Sequence, residues 1–76
     1  MSVVIYGKTS CGYCVQAKSL CEQKGLDYTY LHLDEDYTFD EFKAKFPTAR
    51  TFPQIIVDDN NIGGYTELKE LTEVED

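Results

Sequence analysis

Val3-Val4-Ile5-Tyr6-Gly7-Lys8-Thr9-Ser10-Cys11-Gly12-Tyr13-Cys14 is the stretch from which the rest of the chain can be read. Its first four residues are continuously apolar, the pattern of a central strand covered on both faces. Gly7 to Ser10 reads as a loop. Two cysteines then stand three positions apart where helical spacing begins. Thiols so placed at a helix start can close a disulfide without moving the backbone. The first of them also meets the unpaired N–H groups of the helix, which stabilise a thiolate. This arrangement suits thiol–disulfide exchange better than a structural staple.

Downstream, Cys14, Ala17, Leu20 and Cys21 recur near helical spacing and predict a helix from about Gly12 to Lys24, with Gln16, Lys18, Glu22 and Gln23 outward and Gly25 as its stop. Asp27 to Leu33 alternates as a strand, with Thr29, Leu31 and Leu33 on one face and Tyr28, Tyr30 and His32 on the other. Asp34 to Tyr37 is a turn. Thr38 caps a short helix with Glu41 as its capping-box partner; Phe39, Phe42 and Phe46 form the apolar stripe, and Pro47 ends it. Gln54 to Val57 is a third strand, Asp58 to Asn61 a hairpin turn, and Asn61 to Gly63 a brief fourth strand. Tyr65 to Leu71 is a last helix with Leu68 and Leu71 inward. The order is β-α-β-α-β-β-α. The opening strand–helix–strand demands a right-handed crossover and parallel pairing, and the later turn makes the last two strands antiparallel. The expected fold is α/β, a four-stranded mixed sheet with helices on both faces and the cysteines at the C-terminal end of the first strand, where open α/β sheets place their sites.

The 76 residues are expected to form one domain, residues 1–76. Seven basic against fourteen acidic residues give a net charge of −7, which argues against nucleic acid or an anionic membrane as the main partner. No apolar run approaches membrane-spanning length. Three cysteines are an odd count, unlike a secreted disulfide scaffold, and no secretory signal is visible, so a reducing, cytoplasmic setting is expected. Lys8, Lys43, Lys45 and Arg50 flank the motifs of interest and leave room for a local positive patch.

A C-x-x-C beside a βαβ pattern reads as thioredoxin-like, and three stretches narrow this. Lys8-Thr9-Ser10-Cys11-Gly12-Tyr13-Cys14 resembles the K-x-x-C-P-Y-C active site of glutaredoxins. Thr51-Phe52-Pro53-Gln54-Ile55 resembles their T-V-P-Q-I segment, and Ile62-Gly63-Gly64-Tyr65-Thr66-Glu67-Leu68 their I-G-G-Y-T-D-F/L segment. Order and spacing agree over nearly the whole chain, so it is identified as resembling a small dithiol glutaredoxin. There are two departures: Gly12 stands where the family has proline, loosening the helix start, and the C-terminal helix is short.

The resemblance implies a monomeric glutathione-dependent oxidoreductase of thioredoxin-like fold, with Cys11 as nucleophile and Cys14 as resolving thiol. It acts on disulfide-bonded or glutathionylated proteins, ribonucleotide reductase among those the family commonly serves. Glutathione is the implied co-substrate. A cis Phe52–Pro53 bond is implied, with the Phe52 backbone pairing the cysteinyl unit of the tripeptide. The N–H groups after Gly64 suit the γ-glutamyl carboxylate. Thr66 is expected to cap that helix, Glu67 to face the ligand's ammonium group, and Lys8, Arg50 and more weakly Lys45 to meet its glycine carboxylate. Tyr13 is expected beside Cys11 as a flat contact, and Thr51 completes the ligand-binding set. Cys21 lies two turns past Cys14, about 10 Å along the helix, too far for a disulfide, and reads as a small buried hydrophobe. A zinc site from Cys11, Cys14, Cys21 and His32 is arithmetically possible but geometrically disfavoured. Two further readings belong to other classes. Lacking the proline, the motif leaves open a [2Fe–2S] cluster held between two protomers with glutathione. A thioredoxin-like donor reduced by a flavoprotein is the other.

Overall fold

The computed structural model describes residues 2–73. The order is β1 (Ser2–Gly7), α1 (Gly12–Lys24), β2 (Asp27–His32), α2 (Phe39–Lys45), β3 (Gln54–Val57), β4 (Asn60–Gly63) and α3 (Tyr65–Glu73). The four strands lie in the order β2-β1-β3-β4, with β1 parallel to β2 and antiparallel to β3, and β3 antiparallel to β4. The chain therefore has the expected α/β, thioredoxin-like mixed sheet.

The continuously apolar β1 is explained by its central place, because alternate side chains serve two cores. Val3 and Ile5 join Ile55 and Val57 of β3 beneath Ala17, Leu20 and Cys21 of α1 and Leu68 of α3. Tyr6 points the other way, with Leu31, Phe52 and Ile56, toward a second cluster of Tyr37, Phe42 and Phe46. Helices α1 and α3 thus cover one face and α2 the other. The second core is aromatic: Tyr6 meets Tyr37 and Phe46 edge-on at 5.1 Å each, and Phe42 stacks on Phe52 at 4.5 Å.

Local chemistry sets the element ends. Gly25 adopts φ 67° and closes α1, its N–H turned to the carbonyls of Cys21 and Glu22, a left-handed cap that glycine supplies without a Cβ clash. At the head of α2 the Thr38 hydroxyl accepts from the Glu41 N–H, and the Glu41 carboxylate accepts from the Thr38 N–H at 2.8 Å, the capping box expected from the sequence.

Three expectations need correction. The turn after β3 is only Asp58-Asp59. Both adopt positive φ, 49° and 71°, a twist that matches the flanking strands, so Asn60 and Asn61 pair with Val57 and Ile56 as the start of β4. Phe39 is 53% exposed: it is the first residue of α2, and its ring stacks on Phe42 at a centroid distance of 6.2 Å while its other face meets solvent. Leu71 is also exposed. Helix α3 runs on to Glu73 and touches the core through Leu68, while Lys69, Glu70 and Leu71 stand in solvent.

Candidate active site

The β1–α1 connection delivers both cysteines to one end of the sheet. Gly7 is the last residue of β1, and a Cβ there would run into the Tyr30 side chain and lie 3.2 Å from the Cys14 Cβ. Glycine at that point lets α1 start directly over the strand end. Ser10 adopts a left-handed φ of 60°, turning the chain into the helix. Cys11 is extended (φ −115°, ψ 109°) and is the N-cap residue of α1, its sulfur accepting from the Cys14 N–H at 3.2 Å. Cys11 and Cys14 form a disulfide with a Cα–Cα separation of 5.2 Å. Cys11 is half-buried at the surface, whereas Cys14 is wholly buried. One sulfur of the pair is open to a partner and the other waits a turn inside.

The first turn of α1 carries no acidic residue, so nothing of opposite purpose competes for its N–H groups. Cys21, on the same helix, is buried and free; burial first, then Glu22, pushes its thiol up, keeping it protonated and unreactive. Among the described residues no group of three or more His, Cys, Asp or Glu is placed to hold a metal ion, and no helix is long and apolar enough to cross a membrane.

Two cavities open where the segment before β3 meets the head of α3. One, of about 260 Å³, is lined by Tyr13, Thr51, Phe52, Pro53, Gly64, Tyr65, Thr66 and Glu67. The other, of about 550 Å³, shares Thr51, Gly64 and Glu67 and extends to Arg50, Gln54 and Asn61. The first gathers seven of the residues singled out from the sequence. The Phe52–Pro53 bond is cis. Tyr13 is 60% exposed and stacks on Tyr65 at 5.9 Å. Arg50 belongs to the second cavity only. Lys8 lines neither; its ammonium group stands 5.2 Å over the Phe52 ring, a cation–π contact that draws it toward the Thr51-Phe52-Pro53 segment. Lys45 is exposed and lines neither cavity.

The start of α3 differs from expectation. Its cap is the Glu67 carboxylate, which accepts from the Gly64 N–H at 2.7 Å, and not the Thr66 hydroxyl. Thr66 is the second residue of the helix, a position from which its side chain points outward, whereas the third residue can reach back to the cap. One Glu67 oxygen is thereby committed to the backbone.

Sequence reasoning missed Tyr65 and Gln54 as wall residues. Tyr65 lies within the glycine-tyrosine stretch already singled out, but its facing Tyr13 across the cleft follows from tertiary packing. Gln54 is buried at the start of β3 and its amide donates to the Thr51 carbonyl at 3.1 Å, bracing the segment before Pro53.

Comparison with known proteins agrees with this geometry. The glutaredoxin family model matches residues 3–62. Glutaredoxin 1 of Escherichia coli K12 is 39% identical over 75 residues, covering 90% of this chain and 88% of the relative. A Haemophilus influenzae glutaredoxin is 40% identical over 78 residues, covering 93% and 90%. Reduced Escherichia coli glutaredoxin superposes with a TM-score of 0.79 at 35% identity, covering 96% of this chain and 94% of that one. A buckwheat glutaredoxin solved as its glutathione complex gives 0.77 at 32% identity, covering 90% and 64%. Sequence, fold and the paired cysteines at the head of α1 converge: the chain belongs to the glutaredoxin family of thiol–disulfide oxidoreductases.

Proposed function

We propose that the chain is a glutathione-disulfide oxidoreductase that reduces protein disulfides and glutathione mixed disulfides, with Cys11 as nucleophile and Cys14 as resolving thiol. The observation that carries this reading is the Cys11 sulfur at the N-cap of α1, bonded to the Cys14 N–H, on a helix whose Tyr13 lines the cleft with Pro53 and Gly64. A helix N-terminus favours the thiolate over the thiol, and the thiolate is the attacking species.

In the one-thiol route the Cys11 thiolate attacks the glutathione sulfur of a glutathionylated protein. A Cys11–glutathione disulfide forms, the protein sulfur leaves as a thiolate and takes a proton from water. A second glutathione thiolate then attacks the glutathione sulfur bound to Cys11, releasing oxidised glutathione and restoring the Cys11 thiolate. In the two-thiol route Cys11 attacks a protein disulfide, and the Cys14 thiolate attacks the Cys11 sulfur. The second protein thiolate leaves and the Cys11–Cys14 disulfide closes, the state described above. Two glutathione thiols then reduce that disulfide and become one oxidised glutathione.

The binding roles belong to the same proposal. The Phe52 backbone pairs the cysteinyl unit of glutathione in the manner of an added strand. Thr51, Pro53, Gly64 and Thr66 wall the cleft, and Tyr13 offers a flat face. The head of α3 receives the γ-glutamyl carboxylate. Glu67, with one oxygen on the Gly64 N–H, turns its second toward the ligand's ammonium group. Lys8 and Arg50 attract the glycine carboxylate from either side of the Thr51-Phe52-Pro53 segment. Glutathione bound to the buckwheat relative supports this assignment by likeness. A reducing, cytoplasmic setting and service to ribonucleotide reductase as one protein substrate complete the reading. The test is turnover of a small glutathione mixed disulfide coupled to NADPH through glutathione reductase. Steady oxidation of NADPH that scales with the chain is expected. Turnover that needs a flavoprotein disulfide reductase and ignores glutathione would overturn the reading.

A further inference from the structure

The start of the segment between β1 and Cys11 is held by side chains that the exchange chemistry does not use. The Tyr37 hydroxyl, buried at the turn before α2, donates to the Gly7 carbonyl at 2.6 Å. The same carbonyl accepts the Leu33 N–H at 3.0 Å, so both its lone pairs are taken. The next carbonyl along, that of Lys8, accepts the Tyr30 hydroxyl at 3.4 Å. Tyr37 belongs to the core beneath α2 and Tyr30 packs against the core beneath α1, so the two tyrosines reach the loop from opposite faces of the sheet. The two short bonds to the Gly7 carbonyl fix its peptide plane, the longer Tyr30 contact restrains the next, and Thr9 and Ser10 then remain between this anchored backbone and the sulfur.

We infer that Tyr37 is a positioning residue for the redox pair: its hydroxyl, backed by that of Tyr30, sets the path of the Lys8–Ser10 loop so that the Cys11 sulfur sits on the head of α1. The consequence runs through conformational freedom. Each unpinned residue samples more backbone states, and a sulfur that leaves the N-cap position loses the N–H groups that favour its anion. Burial first, with smaller contributions from Tyr30, Tyr6, Asp34 and Asp36, pushes the Tyr37 hydroxyl up to about 12, so it stays a donor throughout the working range. Its ring also has a packing role, edge-on to Tyr6 and stacked with Phe42 at 6.0 Å. The substitution that separates the two roles is Tyr37→Phe, which keeps the ring and removes only the donor.

The inference rests on Cys11 as the attacking sulfur but not on glutathione as reductant, so its test uses neither glutathione nor a coupled enzyme. The reduced full-length chain is labelled with iodoacetamide at neutral pH and the labelled cysteine identified by mass spectrometry. The Cys11–Cys14 disulfide is separately equilibrated against dithiothreitol. Tyr37→Phe is expected to slow labelling of Cys11 about three- to ten-fold, the range of one hydrogen bond's net contribution, and to shift the dithiothreitol equilibrium toward the oxidised form. Tyr30→Phe, losing the longer bond, gives a smaller change in the same direction. Val57→Ala, a packing lesion in the core beneath α1, lowers the unfolding midpoint and leaves both readings within about twofold of the parent. The inference is overturned if Tyr37→Phe lowers only the unfolding midpoint, or if Val57→Ala slows labelling as much as Tyr37→Phe does. Labelling of the parent chain at Cys14 instead of Cys11 would overturn the nucleophile assignment and the inference with it.

Discussion

Helices α1 and α2 begin in opposite ways. Helix α2 consumes its own head: the Thr38 hydroxyl and the Glu41 carboxylate satisfy backbone donors reciprocally, and Asp40 and Glu41 place negative charge in its first turn. Helix α1 has no acid in its first turn, and the side chain that caps its head is the Cys11 sulfur. The first arrangement stabilises a fold. The second leaves the electrostatics of a helix end to be used by a reagent. A helix N-terminus is an anion site in either case; what differs is whether the anion is a permanent fixture or a sulfur that comes and goes with its redox state.

The comparison can be broken most severely at the sulfur. Cys11→Ser is expected to reduce turnover of both glutathione mixed disulfides and protein disulfides by at least about a thousandfold, to background, because a hydroxyl at neutral pH supplies no comparable nucleophile. Cys14→Ser is expected to keep mixed-disulfide turnover and to lose protein-disulfide reduction. Loss of both together would rule out two separate routes.

Next in size is the head of α2. Thr38→Ala removes one half of the capping box and should lower unfolding free energy by about 1 kcal/mol in a denaturant titration, with iodoacetamide labelling of Cys11 unchanged. A matching loss of labelling would mean the two helix ends are not independent. The converse change gives α1 what α2 has. Val15 is 60% exposed near the start of α1, and Val15→Glu should weaken the thiolate by about 0.3–1 kcal/mol, slowing labelling a few-fold relative to Val15→Gln. An equal rate in the two variants would remove helix electrostatics from the explanation.

An effect of similar size concerns Gly12. It is the first residue of α1, a position that favours proline, its backbone does not adopt positive φ, and nothing lies within 4 Å of where a Cβ would stand. Gly12→Pro should therefore stabilise the fold by about 0.4–1 kcal/mol, read as a raised denaturation midpoint. A destabilised variant would show that the helix start needs the freedom of glycine.

Much of this was legible in the residues because it is local. The two-faced apolar run of β1, the helical recurrence of Cys14, Ala17, Leu20 and Cys21, the Gly25 stop and the Thr38–Glu41 box are all set within a turn or a strand. What escaped depends on where an element lies relative to the rest. Leu71 has the spacing of a core residue, yet α3 has left the core by that turn. Asn60 and Asn61 have the composition of a turn, yet two aspartates at positive φ complete it before them. Glu67 looked like a ligand contact and is first of all a helix cap. The Tyr37–Gly7 bond joins residues thirty positions apart, which no periodicity records. At the site itself, the motifs brought the cleft residues together, but not the second cavity that Arg50 and Gln54 line or the placing of Lys8 over Phe52.

The most direct measurement is the pH profile of Cys11 alkylation in the reduced chain. A thiol seated on the head of α1 should titrate with a midpoint clearly below the free-cysteine value of about 8.5, with Cys14 and Cys21 unlabelled over the same range. A midpoint at or above that value would contradict the account, because the sulfur would then gain nothing from the helix on which it sits.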